Sequence, residues 1–142
     1  MVNLPRGIRN HNPGNIIQNN IIWKGMIKKP FDPKFVEFEA PEWGLRALMK
    51  ILFTYYERYG LDTVQSIVNR WAPPHENATD HYAGYVSKAL KIRRNQKMEL
   101  QNPKILIALT KAIIRFENGH PKGEGQLFWY EEALYKKALS LV

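Results

Sequence analysis

Carboxylates are scarce in this 142-residue chain, 13 Asp plus Glu against 21 Lys plus Arg, and one of them has an unusual predicted setting. Glu117 closes the most apolar run, PKILIALTKAIIRFE, between Phe116 and Asn118-Gly119. Apolar surroundings and the negative end of a helix dipole both disfavour a charged carboxylate, so its pKa is expected to be raised. A carboxylic acid that keeps its proton near neutral pH can protonate the leaving oxygen of a glycosidic bond. The plain alternative is an exposed glutamate that happens to end a helix. Glu76, in the loop HENA after two prolines, is a second candidate or else a loop residue bonded to nearby backbone. Glu37 and Glu39, alternate residues of KFVEFE, either face a cleft or lie on the wet face of a strand.

Other chemistries find no foothold. There is no glycine-rich dinucleotide or Walker loop, no His-Glu-x-x-His and no Gly-x-Ser-x-Gly. His11, His75, His81 and His120 lack metal-ligand spacing, so no metal and no cofactor is expected. The absence of cysteine excludes a disulfide framework and thiolate sites, and suits a reducing cytoplasm. A net charge of +8 points to a polyanionic partner: nucleic acid, an anionic membrane, or cell wall with its peptide carboxylates. The densest basic cluster, LKIRRNQK, has no interleaved aromatics to stack bases, which leaves a DNA-binding module as a third-rank reading. The N-terminus lacks the apolar region of a signal peptide, and no run approaches the roughly 18 apolar residues of a spanning helix. Export is therefore expected to come from a partner or from assembly into a particle.

The elements that must position these groups follow from punctuation and periodicity. IIQNNIIW and KFVEFE read as short strands forming an N-terminal β-hairpin, the second with Phe35, Glu37 and Glu39 on one face and Val36 and Phe38 on the other. Pro41-Glu42 opens a helix carrying Leu45, Leu48, Met49, Leu52 and Tyr56 until Gly60 stops it. Asp62 is the expected cap of a short helix, with Gln65 at the capping-box position and Val64, Ile67, Val68 and Trp71 on its apolar face. Thr79 is the expected cap of a helix bearing Tyr82, Tyr85, Val86 and Leu90, a better reading of Asn77-Ala78-Thr79 than a glycosylation site. Asn102-Pro103 starts a buried central helix over 103–117, and an amphipathic helix over roughly 126–141 closes the chain. The fold class expected is α+β and mostly helical, in a single domain over 1–142.

The segment RGIRNHNPGN, Arg6 to Asn15, is too polar and too rich in turn-formers for helix or strand. Together with Trp-x-Gly at Trp23 to Gly25, FEAPEWGLRAL, RWAPPHENATDHY and AIIRFENG, it resembles small phage and prophage proteins described as virion or structural proteins or as cell-wall hydrolases. The resemblance spans about residues 6–120, with the segments in order. More distantly, HNPGNI, IIWKG, FVEFEAPEWGLRAL and NATDHY resemble successive segments of flagellar-type glucosaminidases and lytic transglycosylases, which share a lysozyme-like fold. In those enzymes the catalytic glutamate precedes all of these segments, whereas AIIRFENG with Glu117 follows them here. The resemblance therefore implies a circularly permuted lysozyme-like domain, with Asn12 to Asn15 beside Glu117.

On this basis the chain is expected to cleave peptidoglycan glycan strands, as a lytic transglycosylase or as a muramidase or glucosaminidase. Glu117 would be general acid and then base, and a hydrolase would use water with Glu37, Glu39 or Glu76 as the second carboxylate. By the same resemblance Tyr82 hydrogen-bonds an N-acetyl group or assists proton transfer, or is helix surface. Asn12 and Asn15 bind acetamido groups or brace Glu117, or only tie the N-terminal turn. Asn118, Glu39, Trp23 and Trp71 complete the substrate contacts, although most tryptophans of a small domain are core. The competing class is a non-catalytic virion component that contacts other phage proteins or the wall. The expected location is a phage particle or the host cytoplasm, with action on the wall after release or delivery.

Overall fold

The computed structural model describes residues 4–74, 78–121 and 128–142. Among these residues all the regular elements are helices: α1 (Arg6–Arg9), α2 (Pro41–Tyr59), α3 (Val64–Trp71), α4 (Thr79–Leu90), α5 (Pro103–Asn118) and α6 (Glu132–Ser140). The chain divides into two compact units, Met1–Lys50 with Glu117–Val142, and Ile51–Phe116.

The expected α+β class and N-terminal hairpin are overturned. Residues 16–18, 25–27 and 34–39 come together, but among the described residues they make only two isolated antiparallel bridges, Ile17 to Phe35 and Met26 to Phe38. The reason is that residues 34–39 bond to too many different partners to form a ladder. Val36 N–H donates to Ile16 O, Phe38 N–H to Asn10 O and Glu39 N–H to Gly25 O, while Glu37 O accepts from Ile27 N–H. Side chains fill the gaps, with the Asn12 amide donating to Val36 O and the Gln18 amide to Phe35 O. The expected alternation nevertheless holds within this segment: Val36 and Phe38 are buried and Glu39 is exposed. With the hairpin gone, the lysozyme-like α+β architecture is corrected to an all-helical one with an irregular N-terminal third.

In the first unit, Ile8, Ile16, Val36 and Phe38 are buried with Leu45, Leu48 and Met49 of α2 and Tyr135 and Ala138 of α6. Two polar links hold α6 on α2: Lys137 Nζ lies 2.8 Å from Glu42 Oε2, and Arg46 Nε donates to Leu141 O at 2.8 Å. The pair with Lys137 holds the Glu42 carboxyl below its ordinary range. The end helix is shorter than the sequence suggests, since α6 begins at Glu132.

In the second unit the core is Leu52, Val64, Ile67, Val68, Tyr82, Val86, Leu100, Leu109, Ile113 and Ile114. The α3 cap is Thr63 rather than Asp62. Its hydroxyl accepts from Ser66 N–H while Ser66 Oγ accepts from Thr63 N–H, a capping box one residue later than predicted. Thr79 is the first residue of α4 rather than its cap, and its hydroxyl donates to Ala72 O. Asn102 does open α5, its carbonyl accepting from Leu106 N–H. No described helix is long and apolar enough to cross a membrane.

Candidate functional site

RGIRNHNPGN is built by its own hydrogen bonds. Asn12 is fully buried, and its amide nitrogen donates to Ile16 O at 3.0 Å and Val36 O at 2.8 Å while its Oδ1 accepts from Ile16 N–H at 3.0 Å. His11 takes φ +52° and sets its Nδ1 3.2 Å from Phe38 O, where a ring N–H donates to the carbonyl. Its own carbonyl lies so close to α2 that a Cβ on Gly44 would meet it at 1.8 Å, so only glycine admits the N-terminal segment there.

The turn delivers Asn15 to the end of α5. Asn15, itself at φ +52°, donates from Nδ2 to Glu117 Oε1 at 3.0 Å across 102 residues of sequence. The next residue, Asn118, is buried and donates from Nδ2 to Pro13 O at 2.8 Å. Gly7 of α1 makes room for both amides, since a Cβ there would fall 2.5 Å from Asn118 Oδ1 and 2.8 Å from Asn15 Oδ1. Asn15 Oδ1 is buried and makes no hydrogen bond among the described residues. Glu117 is half-buried, and one oxygen of its carboxylate accepts from the neutral Asn15 amide.

The other sequence-derived candidates fall elsewhere. Tyr82 and Trp71 meet in the second unit, where the buried Tyr82 hydroxyl accepts from Trp71 Nε1 at 3.1 Å and its ring stacks on Phe116 with centroids 3.8 Å apart. Trp23 is half-buried in the first unit, with its indole N–H buried and unbonded among the described residues. Glu39 is exposed, and Glu37 accepts from Asp32 N–H at 2.8 Å. Glu76 lies outside the described residues. Among those residues no group of three His, Cys, Asp or Glu side chains could hold a metal.

The residue that sequence reasoning missed is Asp32. Its carboxylate accepts from Arg6 Nε and Nη2, both at 2.6 Å, from Asn10 Nδ2 at 2.9 Å, and from Lys34 and Phe35 N–H at 2.9 and 2.8 Å. The bidentate Arg6 bond, then the backbone and Asn10 donors, hold its carboxyl far below the usual range against the opposing effect of burial. A signal was present: Asp32 is the only acid between residues 16 and 35, amid lysines.

No protein-family model matches the chain. Over 117 residues it is 41% identical to protein P5 of Pseudoalteromonas phage PM2, an alignment that covers 80% of this chain and 71% of that protein.

Proposed function

The chain belongs to the family of protein P5 of phage PM2, and from that membership we propose that it is a non-enzymatic structural component of a phage particle. The carrying observation within the molecule is how its polar motif is used. Asn10, Asn12 and Asn118 direct their amides at Asp32, at Ile16 and Val36, and at Pro13, all within the first unit. Amides spent on an internal carboxylate and on backbone carbonyls build a fold rather than presenting donors to a ligand, which suits a structural component. Mass spectrometry of gradient-purified particles tests this: the chain should co-purify at constant copy number per particle through successive gradients. Its absence from particles, with abundance in the lysate, would overturn the proposal. Its partners in that role are other virion proteins.

One observation favours a second reading. Glu117 is a half-buried carboxylate at a helix end with one oxygen fixed by Asn15, an arrangement that suits a positioned general acid. In this reading Glu117 protonates the glycosidic oxygen of a peptidoglycan strand and then, as base, deprotonates the muramic acid 6-hydroxyl, giving an anhydro end without a second carboxylate. Asn15 is its positioning residue. Digestion of purified peptidoglycan by wild type and Glu117→Gln, with mass analysis of the products, separates the two. Anhydro or reducing ends from wild type alone establish the enzyme, and no products from either leave the structural role standing. Gln retains an oxygen to accept from Asn15, so the variant should fold as wild type does.

A further inference from the structure

Four of the five large apolar side chains exposed in the described N-terminal third sit on one segment, the fifth being Leu4. Ile17, Ile21, Ile22 and Phe31 all project into solvent, Ile22 at 86% and Phe31 at 99% of full exposure. Their backbone is braced: Gln18 donates from its backbone to Lys34 O and from its side chain to Asp32 O, which ties the residue after Ile17 to the residue after Phe31. Met26 N–H closes a turn on Trp23 O just beyond Ile22. These side chains are therefore presented by ordered turns.

Charge identifies the partner. Residues 16–35 carry Lys24, Lys28, Lys29 and Lys34, all exposed, against the single acid Asp32. Asp32 is buried and bonded to Arg6, and the acids whose backbone pairs with residues 25 and 27 are the exposed Glu39 and the half-buried Glu37, so the four lysines leave the surface of the segment in net positive charge. Lysine is depleted in protein–protein interfaces, whereas lysines beside protruding apolar groups match a surface that is anionic at its face and apolar just beneath. We propose that residues 16–35 form a membrane-docking loop. Ile21, Ile22 and Phe31 enter the headgroup–acyl boundary of a bilayer containing anionic phospholipid, and the four lysines stay at the phosphates with their stems along the apolar side chains.

Co-sedimentation of the full chain with sucrose-loaded vesicles tests this, using phosphatidylglycerol and phosphatidylcholine in equal parts against phosphatidylcholine alone. Binding is expected to the mixed vesicles only, and to weaken as salt rises. Ile22→Ser with Phe31→Ser should weaken it at least roughly tenfold, and Lys28→Gln with Lys29→Gln by roughly 25-fold. These positions are exposed, so unchanged urea midpoints will show that the variants are folded. Because the chain has no cysteine, Ile22→Cys takes a single environment-sensitive fluorophore, whose emission should shift to the blue on the mixed vesicles. The same label at the exposed Ala108, by Ala108→Cys, should not shift. Equal binding to both vesicle types, undiminished binding by the serine variant, or an unshifted label at position 22 would each overturn the proposal. So would loss of the serine variant from phage particles without vesicle binding by wild type, which would make the segment a protein interface.

Discussion

Removing the Asn12 amide should unfold the first unit far more readily than its place in a polar loop suggests. Asn12→Ala deletes three hydrogen bonds at a fully buried site. Ile16 O keeps its second donor, Val36 N–H, so the groups left without these bonds are Ile16 N–H and Val36 O. Each costs about 1–3 kcal/mol when buried and unpaired, so a loss of about 3 kcal/mol is expected. With a urea m-value of about 2 kcal/mol/M, the midpoint falls by about 1.5 M. That is a large share of a total stability of about 5–15 kcal/mol. Asn12→Asp keeps the shape but turns an oxygen toward the two carbonyls, and should cost at least as much. Urea unfolding followed by circular dichroism reads both variants. A shift below about 0.5 M at unchanged m-value would refute the reasoning and return Asn12 to the role of a ligand-facing amide.

Gly7→Ala raises intrinsic helix propensity by about 1 kcal/mol, yet it should destabilise by about 1–3 kcal/mol because its Cβ meets Asn118 Oδ1, Asn15 Oδ1 and Asn12 O within 2.9 Å; a neutral or stabilising result in urea would show that this packing yields freely. The Arg6-bonded Asp32 has a folded pKa far below its unfolded value of about 3.9. Its contribution is thus complete at neutral pH and is lost progressively as pH falls below about 4. Urea midpoints between about pH 7 and 2.5 should fall less steeply for Asp32→Asn, and parallel curves would dismiss the linkage. Burial raises the Tyr130 phenol pKa and leaves its hydroxyl without a hydrogen bond among the described residues. Tyr130→Phe should therefore melt at the same temperature as wild type or higher, and a loss above about 1 kcal/mol would reveal a hydroxyl partner.

Helix punctuation was readable because it acts over a few residues. Pro41 and Gly60 bracket α2, with Gly60 at φ +65°, and Pro103 and Gly119 bracket α5. A capping box was readable only to within a residue, because Asp62, Thr63, Gln65 and Ser66 offer two overlapping cap frames and Thr63 with Ser66 wins. The hairpin was misread although the alternation of Val36 and Phe38 was correct. Period-two burial reports which face is covered, while a sheet also needs one continuous partner, and residues 34–39 bond instead to three separate stretches and several side chains. The same fact explains the candidate site. Spacing drew attention to scarce carboxylates and clustered asparagines as chemistry, yet Asn12 and Asn118 close backbone bonds that no neighbouring strand supplies, and Asn10 bonds Asp32. The acid that organises the loop is Asp32, which binds Arg6 and Asn10 from the motif itself. Asn15 and Glu117 are the pair in which a motif amide meets an acidic side chain at a helix end instead of backbone. An enzymatic role would therefore have to begin there, and Glu117→Gln addresses it without disturbing the amides that build the loop.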